Sequence, residues 1–125
     1  MLEPLDTVNS LTRAINSGDL ESALSLYESD AILVADPRKI ARGTAAIRSA
    51  LEGFISLKPN LTSERHQEIT VGDLALYCSK WTLKGTSADG RAVEMSGVSS
   101  DVLRRHSDGQ WLVAIDNPWG TSIIR

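Results

Sequence analysis

The chain has 125 residues, 42% of them hydrophobic and 23% charged, with a net charge of −3 and a pI near 5.3. That length suits one domain around one core, residues 1–125, and the composition excludes a disordered or fibrous chain. The acidic balance and dispersed basic residues argue against a nucleic-acid binder, which needs a basic face. A single cysteine, Cys78, excludes an intrachain disulfide; in its apolar stretch it reads as a small buried hydrophobe. Met1-Leu2-Glu3-Pro4 lacks a basic and apolar leader pattern, and no apolar run approaches the roughly 18 residues of a membrane span. The expectation is a cytoplasmic protein without a membrane or nucleic-acid partner.

The first helix is announced by Leu5, Val8, Leu11 and Ile15 at helical spacing, with Gly18 as its stop. Asp19 is placed to cap a second helix, whose inner face would hold Leu20, Ala23, Leu24 and Tyr27. Ala31 to Ala35 reads as a short strand that ends near Asp36, because Pro37 cannot donate to a ladder. Thr44 would cap a third helix with a buried stripe of Ile47, Ala50, Leu51, Phe54 and Ile55.

Beyond Lys58-Pro59-Asn60 the helical period disappears. Four strands are expected, near 61–70, 74–84, 91–105 and 110–117. Val71-Gly72-Asp73, Asp89-Gly90 and Asp108-Gly109 supply the turns between them. Helices first and a hairpin-linked sheet second imply an α+β domain with segregated layers. So small a core cannot fill a long twisted sheet completely, so a pocket is expected on its concave face.

Several segments, in order, resemble the nuclear transport factor 2-like superfamily, and within it the SnoaL-like and ketosteroid isomerase-like branch. They are Asn16 to Leu20, Tyr27 to Ala31, Val34 to Pro37, Gly43 to Arg48, Asp101 to Arg104, and Trp119-Gly120. An uncharacterised bacterial group within that superfamily is similar at Trp81 to Gly85, Val102 to Arg105, Asp108 to Trp111 and Ile115 to Gly120. The resemblance implies three N-terminal helices packed on a curved, mainly antiparallel sheet that forms a cone-shaped pocket, a cystatin-like α+β roll. It also implies a homodimer through the outer face of the sheet, with which Val98 and Val102 are compatible.

Catalytic candidates follow from the same resemblance. Asp36 matches the aspartate that serves ketosteroid isomerases as general base, and Ile32, Val34 and Asp36 share a strand face. The competing reading is that Asp36 caps a turn before Pro37 or meets Arg38 or Lys39. Asp101 matches the aspartate kept protonated as a hydrogen-bond donor, a case of pKa tuning well known from that isomerase. Its alternative is a solvated carboxylate or an arginine partner.

Tyrosines that donate hydrogen bonds in the isomerases align with Leu11 and Leu51, so isomerase chemistry does not transfer intact. Further pocket candidates are Tyr77 and Trp81 on one strand face, Ser99 and Leu103 beside Asp101, and Asn117 and Trp119 near the end. Asp116 is the alternative to Asn117 as a polar pocket group, and a structural turn at Asn117-Pro118 competes with both. His66 and His106 stand alone, without metal-ligand spacing, so neither a metal nor another cofactor is expected.

The expected function is a pocket for a small apolar ligand or substrate. It would be a cofactor-independent isomerase, cyclase or lyase-type enzyme using Asp36 as acid/base. The alternative is a non-catalytic ligand-binding or dimerisation domain.

Overall fold

A computed structural model describes residues 3–124; the leader reading of Met1-Leu2 therefore lies partly outside the described residues. The first helix, α1 (Pro4–Ser17), opens with a capping box between Glu3 and Asp6 and with Pro4 in its first turn. It stops where Gly18 takes φ 75°, a left-handed conformation that costs glycine little. Thr7 is fully buried on α1, and its hydroxyl donates to the Trp111 carbonyl at 2.6 Å, tying the helix to the last strand. Asp19 caps α2 (Leu20–Leu24) by accepting from the Ser22 N–H at 3.1 Å, as its position before the helix predicts.

The strand β1 (Tyr27–Asp36) begins at Tyr27, well ahead of the expected Ala31. Polar Glu28-Ser29-Asp30 disguise its start. A short hairpin strand, β2 (Lys39–Arg42), follows; four residues of mixed character were too few to read from sequence. It runs directly into α3 (Gly43–Ile55). The N-cap of α3 is Arg42 rather than Thr44, whose hydroxyl instead lies 3.5 Å from the Ser29 carbonyl. Ile47 and Leu51 are the buried face of α3.

The rest of the chain is sheet: β3 (Asn60–Val71), β4 (Leu74–Thr86), β5 (Ala92–Val98), β6 (Asp101–Arg105) and β7 (Trp111–Asp116). The strand expected at 91–105 is thus two strands. Both pair with β4, β5 along Lys80–Thr86 and β6 along Leu74–Tyr77. Between them the Ser99 N–H donates to the Ser79 carbonyl at 2.8 Å, and the Ser99 hydroxyl accepts from the Ser79 N–H at 3.0 Å. A side chain thereby replaces a ladder bond, and the strand kinks there.

The seven-stranded sheet has the order β2-β1-β7-β6-β4-β3, with β5 beside β4, and does not close. The β1–β7 pair is parallel and the other pairs are antiparallel, so the sheet is mixed. Three helices cover its concave side. The core between the layers includes Leu33, Ile47, Leu51 and Leu103, all 2% exposed or less.

The convex side is different. Ile69 pairs across strands with Leu76, Leu76 with Val102, Val102 with Ile115 and Ile115 with Ile32. Ile69, Leu76 and Ile115 are exposed. A second exposed pair, Val71 and Leu74, lies beside them. Cys78 is only half-buried, not fully buried as its apolar neighbours suggest. No described helix is long and apolar enough to cross a membrane.

Candidate functional site

A cavity of about 130 Å³ lies between the concave face of the sheet and helices α1 and α3. Leu11 and Ile15 of α1, Leu51 and Phe54 of α3, and Leu33 of β1 give it apolar walls. Polar groups gather on the opposite side, from Ser79, Ser99, Asp101, Asp116 and Tyr27. Trp81 and Trp119 meet edge to face at its border, ring centroids 5.4 Å apart at 73°. The Trp81 Nε1–H donates to the Pro118 carbonyl at 2.7 Å. The buried Nε1–H of Trp119 has no acceptor among the described residues.

The polar groups form one chain. The Ser79 and Ser99 hydroxyls are 3.0 Å apart, and Ser99 bonds to the Asp101 carboxyl. Asp101 and Asp116 are hydrogen-bonded to one another. The Tyr27 hydroxyl donates to Asp116 Oδ2 at 2.5 Å, and Asp101 Oδ1 accepts from the Asn117 backbone N–H at 2.7 Å.

Two carboxyls this close in an apolar enclosure cannot both ionise cheaply. Burial, and then the charge of Asp116, push the Asp101 carboxyl well above the usual carboxylate range. Burial also raises Asp116, while the bonds donated by Tyr27 and Asp101 hold it back. Burial and the mutual repulsion of the two carboxyls therefore favour a proton held within the pair. Burial and the neighbouring Asp116 charge in turn keep the Tyr27 phenol neutral far above its ordinary value. By surface area both aspartates are only partly buried, because they border the cavity; the carboxyls themselves are enclosed by protein.

A bulge brings Asp116 into this pair. In the β6–β7 ladder Val102 faces Ile115, but the next residue, Leu103, faces Val113, so Ala114 is an extra residue. Trp111 and Val113 point to the core, and strict alternation would put Ile115 beside them and Asp116 outside. The extra residue reverses the parity, turning Ile115 out and Asp116 in. Sequence reading named Asp116 only as an alternative to Asn117, and a bulge leaves no mark that would have decided it. Tyr27 was read as a helix residue; as the first residue of β1 it reaches the cavity instead.

The structure brings together most of the expected residues. Asp101, Leu11, Leu51, Tyr77, Trp81, Ser99 and Trp119 all line the cavity. Leu103 does not: it is fully buried in the core. Asn117 does not either. Its side chain folds a turn, donating to the Gly120 carbonyl at 3.1 Å and accepting from the Trp119 N–H at 3.3 Å.

Asp36 stands outside the cavity. Ala31 and Leu33 are buried on the inward face of β1 and Ile32 belongs to the other; past Val34 an extra residue, Ala35, shifts the register, so Asp36 does not share the face of Ile32 and Val34. Asp36 is exposed, and its Oδ1 accepts from the Arg38 backbone N–H at 2.8 Å, the turn-capping arrangement that competed with the general-base reading. Among the described residues, no three His, Cys, Asp or Glu side chains are grouped so that they could hold a metal.

The model of the SnoaL-like domain matches residues 8–114, most of the chain. The chain belongs to the SnoaL-like domain family. No curated protein is significantly similar to it. Solved structures agree on the fold. A nuclear transport factor 2-like superfamily protein from Salmonella enterica superposes with a TM-score of 0.80 at 17% identity, over 90% of this chain and 84% of that one. A candidate scytalone dehydratase from Novosphingobium aromaticivorans gives a TM-score of 0.79 at 17% identity, over 89% and 76% of the two chains. A Mycobacterium tuberculosis protein, solved in complex with estradiol-17beta-hemisuccinate, gives 0.74 at 18% identity, over 96% and 95%. These identities place this SnoaL-like domain in the fold, whose curved sheet and covering helices it shares.

Proposed function

We propose that this SnoaL-like domain is a small-molecule acid–base enzyme without a cofactor, of the isomerase, cyclase or lyase type. Its acid is Asp101 and its paired base is Asp116. The observation that carries this reading is the hydrogen-bonded Asp101–Asp116 pair in the wall of an apolar cavity. A proton held by a buried carboxyl, beside a carboxylate ready to receive one, is the equipment for moving a proton between substrate atoms. The Ser79 and Ser99 hydroxyls on the same wall give a ligand oxygen hydrogen-bonding groups. Asp36, tied into its turn, takes no part. The dehydratase and ligand-bound neighbours support a reaction or ligand of small-molecule size.

The test is turnover of a panel of compact β-hydroxy ketones and enones in deuterium oxide, followed by NMR for deuterium uptake or loss of water. Activity that disappears in Asp101→Asn and survives in Asp36→Asn is the expected result. An inert wild type, or a fully active Asp101→Asn, refutes the acid–base role and leaves a binding pocket.

A second observation favours association of two copies. The exposed row from Ile69 through Leu76 and Val102 to Ile115 runs across four strands in register. A twofold axis through that face would lay the row on its own copy, as a self-complementary homodimer requires. We place the dimer in the cytoplasm, where the half-buried thiol of Cys78 stays reduced. Sedimentation at micromolar concentration should give a dimer, and Leu76→Lys a monomer with an unchanged cavity; a wild-type monomer ends the proposal.

A further inference from the structure

We propose that the cavity is built for an organic cation, a protonated amine carried on a compact apolar body. This deepens the acid–base reading by naming the charge of its substrate, and it rests on the same cavity being the ligand site. Two independent features of the walls carry it.

The first is an uncompensated charge. The titratable side chains lining the cavity are Tyr27, Tyr77, Asp101 and Asp116. Among the described residues no lysine, arginine or histidine lines it; His66 stacks on Tyr77 with centroids 5.6 Å apart but stays outside the lining. The two aspartates set carboxyl groups, and no basic group, against an apolar space. Enclosed charges normally have a partner of opposite sign. A bound ammonium would supply that partner to an ionised carboxyl of the pair.

The second feature is aromatic. The chain has three tryptophans, two tyrosines and one phenylalanine, and Tyr27, Phe54, Tyr77, Trp81 and Trp119 line this one cavity. Only Trp111 is elsewhere, under the Arg105 guanidinium. A cation is attracted to aromatic rings through their faces, so an aromatic-rich lining suits the same ligand as the two carboxyls.

An anionic ligand is disfavoured on the same grounds. Its charge would lie against the two carboxyls. The wall positions where a donor would help, Leu11 and Leu51, have no hydrogen to offer. The strongest rival is a neutral alcohol or ketone, which could hydrogen-bond to the Ser79 and Ser99 hydroxyls.

Three near-isosteric probes separate these cases: 2-phenylethylamine, 2-phenylethanol and 3-phenylpropionate. Each is titrated into the full-length protein at pH 7 by calorimetry, with Trp81 and Trp119 fluorescence as a second readout. The amine should bind at least about tenfold more tightly than the alcohol, or about 1.4 kcal/mol, and the carboxylate should be weakest. In the double variant Asp101→Asn, Asp116→Asn, which keeps shape but removes both carboxyls, the amine's advantage over the alcohol should fall towards unity.

An alcohol that binds as well as the amine overturns the cation proposal and leaves the pocket reading intact. So does a carboxylate that binds best. If none of the three binds at millimolar concentration, both fall. Should the double variant fail to fold, the ranking of the three probes on the wild type decides alone.

Discussion

Replacing Asp101 by asparagine should make the protein more stable at neutral pH, by an amount that grows with pH. Asparagine fits the site as the protonated acid does: its Oδ1 can accept from the Asn117 N–H and its Nδ2 can donate to Asp116. The substitution therefore removes a titration without removing a hydrogen bond. In the native state burial and the Asp116 charge raise the Asp101 pKa well above 3.8. A group whose folded pKa is raised contributes stability that is complete below the unfolded value and is lost as pH climbs to the folded value. Within that window the wild type should lose about 1.4 kcal/mol per pH unit relative to Asp101→Asn. Above the folded value the difference should level off.

The comparison with the variant matters because Asp19, Glu21 and Asp89, all with lowered pKa values, tilt the stability of both proteins the other way. Denaturant unfolding from pH 4.5 to 8 on both proteins measures the difference. In a domain of this size each kcal/mol also moves the melting temperature by about 3–5 °C. A difference that does not vary with pH, or a wild type that gains on the variant as pH rises, would refute the buried, protonated Asp101.

Three further outcomes follow from the same geometry. Tyr27→Phe removes the donor to Asp116 and should cost about 1.5–3 kcal/mol at pH 8, less in acid, as read from unfolding at the two pH values. Gly120→Ala should cost more than about 2 kcal/mol in thermal unfolding, because φ is 55° and a Cβ there would lie 2.4 Å from the Val98 carbonyl oxygen. Asp36→Asn should change stability by less than about 0.5 kcal/mol and leave probe affinity unchanged, since asparagine can cap the same turn.

How much of this was legible depends on the kind of signal. Helix stops at Gly18, the cap at Asp19 and the Asp-Gly turns are written in single residues, and they were read correctly. The inward faces of α1 and α3 followed from spacing; that Leu11 and Leu51 on those faces border a pocket was implied by the resemblance, and both line the cavity. Strand faces were harder. Period-2 arguments fail wherever a strand is kinked or bulged, and both events occur beside the site, at Ser99-Ser100 and at Ala114. Asp36 was misdirected for the same reason and one more: an extra residue at Ala35 breaks its alternation with Ile32 and Val34, and alternation alone does not say which face is inside. Val34 is buried, yet the cavity takes Leu33 and Tyr27. The aspartate pair joins strands that are sequence neighbours through a hairpin, but no sequence pattern announces that both acids turn inward.

The bulge at Ala114 has a consequence for how such a domain can change its chemistry. The acidity of the cavity is decided by a count of residues, not only by their identity. Shortening β7 by one position would exchange the two surfaces of its last turnless stretch. It would put an isoleucine against Asp101 and push a carboxylate onto the apolar outer row. One deletion would thus dry the pocket and charge the face proposed for pairing at the same time. Pocket and pairing face are therefore linked through a single strand, and length changes there should be rarer than substitutions at either surface.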